Sequence, residues 1–264
     1  DFGADGFYGP YPSFEATRTT TAAARWRLPL GSSVSIEPIV GYRRNSDDFI
    51  LDRDDPSLSR NRHTTDQANG EIIARMDLTD RISVAGGLHA RFEDIRSSAL
   101  GKHSEWATAA SLEAAAGRAT DLAVTAGLRA DRLPTGQGAV SPSVSVAWSP
   151  LPWLCVKSSG GRSFRAPTWT ERFYPGPPSV GIGNPDLEPE RAWNVDAGVE
   201  LQKAAFRFIT TVYTRRASGL IDWARPSTDP EGAWAARNVD SAEFTGLETE
   251  IDVYDVPGFR VRAG

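Results

Sequence analysis

The sequence predicts an all-β protein: a transmembrane, antiparallel, up-and-down β-barrel, of which this chain carries about eleven or twelve strands. Three observations carry the prediction. Apolar and polar residues alternate along most of the chain, the alternating runs are long, and the links between them are alternately short and mostly long.

Alternation is clearest in residues 193–202. Trp193, Val195, Ala197, Val199 and Leu201 fall on one face, with Asn194, Asp196, Gly198, Glu200 and Gln202 on the other. A period of two is the mark of a strand with one apolar and one polar face. Residues 82–93 repeat it, with Ile82, Val84, Leu88 and Phe92 against Ser83, His89, Arg91 and Glu93. Residues 246–253 set Leu247, Thr249, Ile251 and Val253 against Gly246, Glu248, Glu250 and Asp252, and residues 143–149 set Val144, Val146 and Trp148 against serines and Ala147.

Extending these runs gives strands, in order, over 13–28, 32–50, 62–78, 81–96, 104–118, 121–133, 139–149, 153–165, 189–202, 205–224 and 236–254, with a further one starting near Phe259. Strands of soluble proteins usually run about five or six residues, whereas tilted membrane-crossing strands need about 9–11. Short links fall at Pro29–Gly31, Thr79–Asp80, Ala119–Thr120, Pro150–Pro152, Lys203–Ala204 and Asp255–Gly258. Longer ones fall near 51–61, 97–103, 134–138, 166–188 and 225–235. Tight turns on one side and larger loops on the other are the pattern of outer-membrane barrels; a β-sandwich does not keep its two ends so distinct.

The tryptophans agree. Trp26 precedes the short link at Pro29, Trp148 and Trp153 flank the one at Pro150–Pro152, and Trp193 opens its strand at the long-loop end. Trp26, Trp148 and Trp193 share parity with apolar residues, as an aromatic girdle requires. Filling a soluble core is the competing role for these rings, but the opposite faces are too polar for a second packed layer. Those polar faces carry Arg75, Asp77, Arg91, Glu93, Asp196, Glu200, Glu248, Glu250 and Asp252, charges suited to a wet lumen and costly in lipid.

Composition narrows the field further. The 264 residues carry a net charge of −5, and arginine is spread along the chain, so no nucleic-acid surface is indicated. The single cysteine, Cys155, excludes an internal disulfide. There is no run of about 18 apolar residues, which says nothing against a barrel because barrel strands alternate.

One stretch breaks the rhythm. Ser163-Phe164-Arg165-Ala166-Pro167-Thr168, a long loop, and then Gly183-Asn184-Pro185-Asp186-Leu187-Glu188-Pro189-Glu190 resembles the signature of the TonB-dependent outer-membrane receptors. Phe244-Thr245-Gly246-Leu247-Glu248-Thr249-Glu250 is similar to a later strand of that family, and Asp1–Pro12 is similar to an outer loop of its cobalamin-receptor-like branch.

The resemblance implies a barrel of about 22 strands in the outer membrane of a Gram-negative-type bacterium, surrounded by outer-membrane lipid and plugged by an N-terminal domain. Such a receptor takes up a metal chelate, cobalamin or a ferric siderophore, with energy passed by the TonB complex through a short N-terminal box. The plug and the final strands fall outside residues 1–264, so the chain reads as a single barrel segment, roughly the middle half. An open sheet leaves edges that lipid does not tolerate, and the segment is not expected to transport alone.

Candidate ligand contacts are the aromatics of the long loops, Phe7, Tyr8, Tyr11, Trp169, Phe173, Tyr174 and Trp234. A large planar chelate stacks on such rings, whose two-torsion side chains order at low entropic cost. Packing of the loop on itself under Pro175, Pro177 and Pro178 is the competing role for them. Asp47, Asp48, Asp52, Asp54 and Asp55 crowd one loop and offer oxygen ligands for calcium. They lack the glycine and spacing of an EF-hand, and a solvated acidic loop is the competing reading; the resemblance adds that cobalamin-type receptors use calcium in their loops. No other cofactor is indicated.

His63, His89 and His103 have no metal-ligand spacing; His89 is expected to hydrogen-bond on the polar face. No Gly-x-Ser-x-Gly nucleophile elbow and no phosphate loop occur, so no enzyme is indicated. A passive porin-like barrel and a soluble all-β binding or adhesion protein remain as alternatives. The upstream gene sequence, with or without a plug and energy-coupling box, separates the receptor from the porin. Heat-modifiable gel migration separates either from a soluble protein.

Overall fold

The computed structural model describes residues 2–3, 11–118, 120–176, 181–225, 232–256 and 259–263. One antiparallel sheet dominates. In chain order its strands are β1 (Phe2–Gly3), β2 (Phe14–Arg25), β3 (Leu28–Leu30), β4 (Val34–Ile50), β5 (Arg60–Thr79), β6 (Ile82–Ser97), β7 (Gly101–Gly117), β8 (Leu122–Arg132), β9 (Gly138–Leu151) and β10 (Leu154–Arg165). A short helix, α1 (Trp169–Phe173), interrupts the order, and β11 (Glu190–Lys203) and β12 (Phe206–Ser218) follow. A small separate hairpin, β13 (Ile221–Ala224) and β14 (Ala235–Asn238), precedes β15 (Ala242–Val256) and β16 (Phe259–Ala263). Strands of the 14-stranded sheet pair in sequence order, except that β2 and β3 both pair with β4 and that β12 pairs with β15 past the hairpin. Among the described residues β1 pairs only β2 and β16 pairs only β15, so the sheet is a partial, unclosed barrel wall.

The up-and-down order, the strand lengths and the alternation of link lengths match the sequence reading, with local differences that have physical causes. The expected strand at 13–28 is divided at Trp26. Trp26 N–H donates to Pro38 O at 3.1 Å, and Pro38 has no N–H to return. The register on either side of the gap is unchanged, Arg25 facing Ile39 and Leu28 facing Ile36. The link expected over 97–103 shrinks to residues 98–100, because Gly101–His103 join the ladder opposite Ile95–Ser97. The strand expected over 205–224 ends at Ser218. Gly219, at φ +63°, adopts a left-handed conformation that suits glycine, and the chain leaves the wall to form β13 and β14.

Side-chain exposure follows the predicted parity. Leu88 is 67% exposed and Leu112 62%, while Trp26, Trp148 and Trp193 are each at least half exposed on the same apolar face. That face is uncharged over long runs. On β4 it shows Val34, Ile36, Pro38, Val40 and Tyr42, and the β6 and β7 runs end at Phe92 and Trp106, whose rings lie 5.0 Å apart. An apolar band ending in aromatics is the surface a barrel presents to lipid.

The other face satisfies its charges internally. Glu37, with its side chain 3% exposed, is surrounded by Arg25, Arg27 and Arg75. Glu200 is held between Lys157 and Arg207. His89 lies 3.1 Å from Ser111 Oγ and 3.2 Å from Glu71, as its parity predicts.

Candidate functional site

The site lies at the long-loop end of the wall, where residues 166–176 and 181–189 fold back over the polar face. Arg165 closes the base of this loop. It faces Glu190 directly across β10 and β11, donates to Glu190 Oε1 at 2.6 Å, and grips both oxygens of Glu171 at 2.9 Å. The second contact is the bidentate geometry for which guanidinium is shaped.

Helix α1 starts where the sequence carries a capping box. Thr168 Oγ1 accepts from Glu171 N, and Glu171 Oε2 accepts from Thr168 N at 2.7 Å. Two otherwise orphaned donors are satisfied reciprocally, and this is what lets so short a helix persist. Burial pushes the Glu171 carboxyl up. Arg165 and the Thr168 N–H and hydroxyl outweigh that and hold it below the usual carboxylate range.

The far side of the loop returns to the helix. Gly183 N–H donates to Tyr174 O and Asn184 N–H to Glu171 O, both at 2.8 Å. A Cβ at Gly183 would lie 2.5 Å from Tyr174 N and 2.7 Å from Phe173 N, so only glycine permits the approach. Asn184 Oδ1 then accepts from Asp186 N, and Leu187 is 1% exposed. Asn238 of β14 bonds both the N–H and the carbonyl of Glu188. Ile182 bridges Ala235 in parallel, tying the loop to the β13–β14 hairpin. The family-like motif is thus the stitching that folds the loop.

Helix α1 then docks on the wall. Trp169 Nε1 donates to Glu93 Oε1 at 2.6 Å and Arg172 donates to Glu105 Oε2 at 2.6 Å. His103 stacks on Phe173 with centroids 3.8 Å apart and planes 12° apart. The Arg172 guanidinium lies over the rings of Phe173 and Trp169 at 4.7 and 5.3 Å, a cation–π geometry. Four strand spacings of about 4.8 Å separate β10 from β6, so the loop carries the helix to a docking site about 19 Å from its base, measured along the sheet.

The predicted aromatics therefore divide. Trp169 and Phe173 pack on the wall, and Tyr174 sits edge-on to Trp223 at 5.9 Å. Tyr11 and Trp234 are exposed, and the Arg225 guanidinium lies 5.1 Å from the Trp234 ring. Phe7 and Tyr8 lie outside the described residues.

The five aspartates are not brought together. Asp47 accepts from Asn45, Asp48 is taken by Arg60 and Arg62, Asp52 accepts from the N–H groups of Asp54 and Asp55, and Asp55 accepts from Ser57. Among the described residues no three carboxylate, histidine or cysteine side chains gather as a metal site. As placed, these residues do not fit calcium.

Glu93, Glu105 and His103 are the wall residues that receive the helix; in the sequence Glu93 stands out only as a polar-face charge, His103 only as a histidine without ligand spacing, and Glu105 not at all. The Thr168-x-x-Glu171 spacing signals the helix, but nothing local signals where it docks.

The whole chain, residues 1–264, matches the family model "TonB dependent receptor-like, beta-barrel". It is similar to the vitamin B12 transporter BtuB of Vibrio vulnificus (strain YJ016), 32% identical over 102 residues that cover 39% of this chain and 16% of that protein. Its fold is similar to the Serratia marcescens hemophore receptor HasR, solved as a double mutant with its hemophore HasA and heme. The TM-score is 0.76 at 19% identity, over 95% of this chain and 48% of that one. The ferric enterobactin receptor PfeA of Pseudomonas aeruginosa, solved as a G324V mutant, matches at a TM-score of 0.75 and 15% identity, over 90% of this chain and 41% of that one. The chain spans about half the length of these solved receptors or less.

Proposed function

Because the chain belongs to the TonB-dependent receptors and forms part of their β-barrel, we propose that it is wall and outer rim of a receptor that actively imports a metal chelate. The family is one of outer-membrane receptors and transporters of Gram-negative bacteria, which bind their ligands and TonB. Cobalamin is the first candidate for this chain, supported by the similarity to a vitamin B12 transporter. A ferric siderophore is the second, supported by the fold shared with a ferric enterobactin receptor.

The observation that carries the reading is the folded loop after β10, described over residues 166–176 and 181–189. Its helix lies across the polar face rather than out in solvent, held by Glu93, Glu105 and His103. Such a loop narrows the outer mouth and presents its rim to an arriving ligand. In this reading Trp169 and Phe173 position the loop, while Tyr11 and Trp234, with exposed rings, meet the chelate. A planar chelate gains stacking area from rigid rings at little entropic cost. Surrounding lipid contacts the apolar band, and TonB engages the receptor outside this stretch of chain.

Growth of a strain deleted for the gene tests the reading. Supplied with one limiting source at a time, cobalamin or a single ferric siderophore, the deletion strain is expected to fail on one and recover on complementation. Unimpaired growth on every such source contradicts it.

A further inference from the structure

We propose that the polar, lumen-facing side of the wall carries a serine esterase site, with Ser111 as nucleophile, His89 as its general base and Glu71 as the carboxylate that positions the imidazole. The relay spans three neighbouring strands. Glu71 stands directly opposite His89 across β5 and β6, and its Oε1 lies 3.2 Å from His89 Nδ1. The other ring nitrogen, His89 Nε2, lies 3.1 Å from Ser111 Oγ on β7. A carboxylate only accepts, so Nδ1 carries its proton toward Glu71, and Nε2 is left to accept from the hydroxyl. These are the contacts and the tautomer that a serine–histidine–acid triad needs. Such a triad is recognised by geometry and roles, not by sequence position, so it needs no nucleophile elbow.

The surroundings leave room for the chemistry. Gly87 faces Ser111 across β6 and β7. A Cβ there would lie 2.8 Å from Ser111 Oγ and 2.9 Å from His89 Nε2, so any other residue would push the pair apart. Leu88 and Leu112, each next in sequence to a member of the pair, are exposed on the opposite, apolar side, which puts the relay on the wet side. Glu71 and His89 line a groove of about 400 Å³, large enough for a small ligand. Ser111 and Gly87 line the groove beside it, and Arg129 lines both.

Arg129 supplies the charge. It stands directly opposite Ser111 across β7 and β8, and its Nε and Nη2 donate to Asp131 at 2.9 to 3.0 Å, which fixes the guanidinium. Ser111 sits within an unbroken ladder on both sides, so a developing oxyanion meets this side-chain charge in place of backbone donors. The substrate class is a carboxylic ester. Ser111 Oγ adds to the ester carbonyl as its proton passes to His89 Nε2. The tetrahedral intermediate expels the alcohol, which takes that proton from His89. Water then adds to the acyl-serine and gives a proton to His89. Collapse releases the carboxylic acid, and the proton returns to Ser111 Oγ.

The test uses the receptor expressed in full from its gene and purified in detergent. A fluorophosphonate probe, which phosphonylates activated serines with loss of fluoride, is followed in time, and the labelled residue is located by peptide mass spectrometry. Turnover of p-nitrophenyl butyrate is measured alongside, and heat-modifiable migration confirms that each variant is folded. Wild type is expected to be labelled at Ser111 and to turn over the ester. S111A should lose both, and H89Q should slow both at least about 100-fold. E71Q should lower the limiting labelling rate at least about tenfold without raising the probe concentration that gives half of it, a split that a merely structural role would not produce. S143A, which alters another serine of the same groove, should match wild type. The wild-type label map and turnover decide the matter should a variant not fold. No label at Ser111, no ester turnover by wild type, or a wild-type rate in folded H89Q overturns the proposal.

Discussion

Glu93 and Glu105 stand directly opposite each other across β6 and β7, and each is taken by a residue of the same five-residue helix, Trp169 and Arg172. Like charges directly opposite in a sheet repel. Here the repulsion becomes a docking site, because a guanidinium and an indole N–H delivered from a loop relieve it. The wall thus carries a charge defect that the loop completes.

Removing either partner should release the helix without unfolding the barrel. The Arg172 and Glu105 side chains are only 12% and 16% exposed, so loss of one leaves the other poorly solvated. E105A or R172A is expected to lower the opening free energy of residues 169–174 by about 1–3 kcal/mol. Hydrogen exchange of those amides in the full receptor measures it. The double variant should cost less than the sum of the two, since the pair is coupled.

Acid should loosen the same loop through Glu171. Its folded-state pKa lies below the unfolded value of about 4.3. The stabilisation is therefore fully present above that value and is lost as pH falls through the lower folded one. Protease protection of the loop should hold at neutral pH and fall below about pH 4. E171Q should be less protected at neutral pH and show a smaller further loss on acidification.

Gly183 tests the motif itself. With backbone nitrogens 2.5 and 2.7 Å from any Cβ, G183A must push the Gly183–Asn184 segment off α1. Cleavage within the loop is expected to quicken while heat-modifiable migration stays normal. A wild-type cleavage rate would contradict the packing.

The parity of the wall can be tested on adjacent residues. Leu112 is exposed on the apolar face and Glu113 lies on the polar one. L112R is expected to cost about 2–4 kcal/mol in a bilayer, as a cation near mid-depth does, and E113R within about 0.5 kcal/mol of nothing. Urea titration of the receptor refolded in lipid vesicles measures both.

The wall was legible in the sequence because each strand reports its own environment. Trp193–Leu201 and Ile82–Phe92 show their two faces without reference to any other strand, and the parity of Trp26, Trp148 and His89 follows. The rim was less legible because its contacts are long-range. Trp169 and Glu93 are 76 residues apart, and Pro167 and Pro175 around a single helical turn read as irregular loop. The β13–β14 hairpin has only four residues per strand, too few to show a period. Nor could spacing reveal that the aspartates from Asp47 to Asp55 would be spent on Arg60, Arg62 and local N–H groups.

Energised uptake tests the central claim most directly. Cells carrying the receptor, with and without a functional TonB, are given labelled cobalamin and labelled ferric siderophores, and accumulation inside the cell is followed. Accumulation of one of these that needs both the receptor and TonB is the expected result. Entry that needs the receptor but proceeds equally without TonB would contradict the account and mark a passive channel.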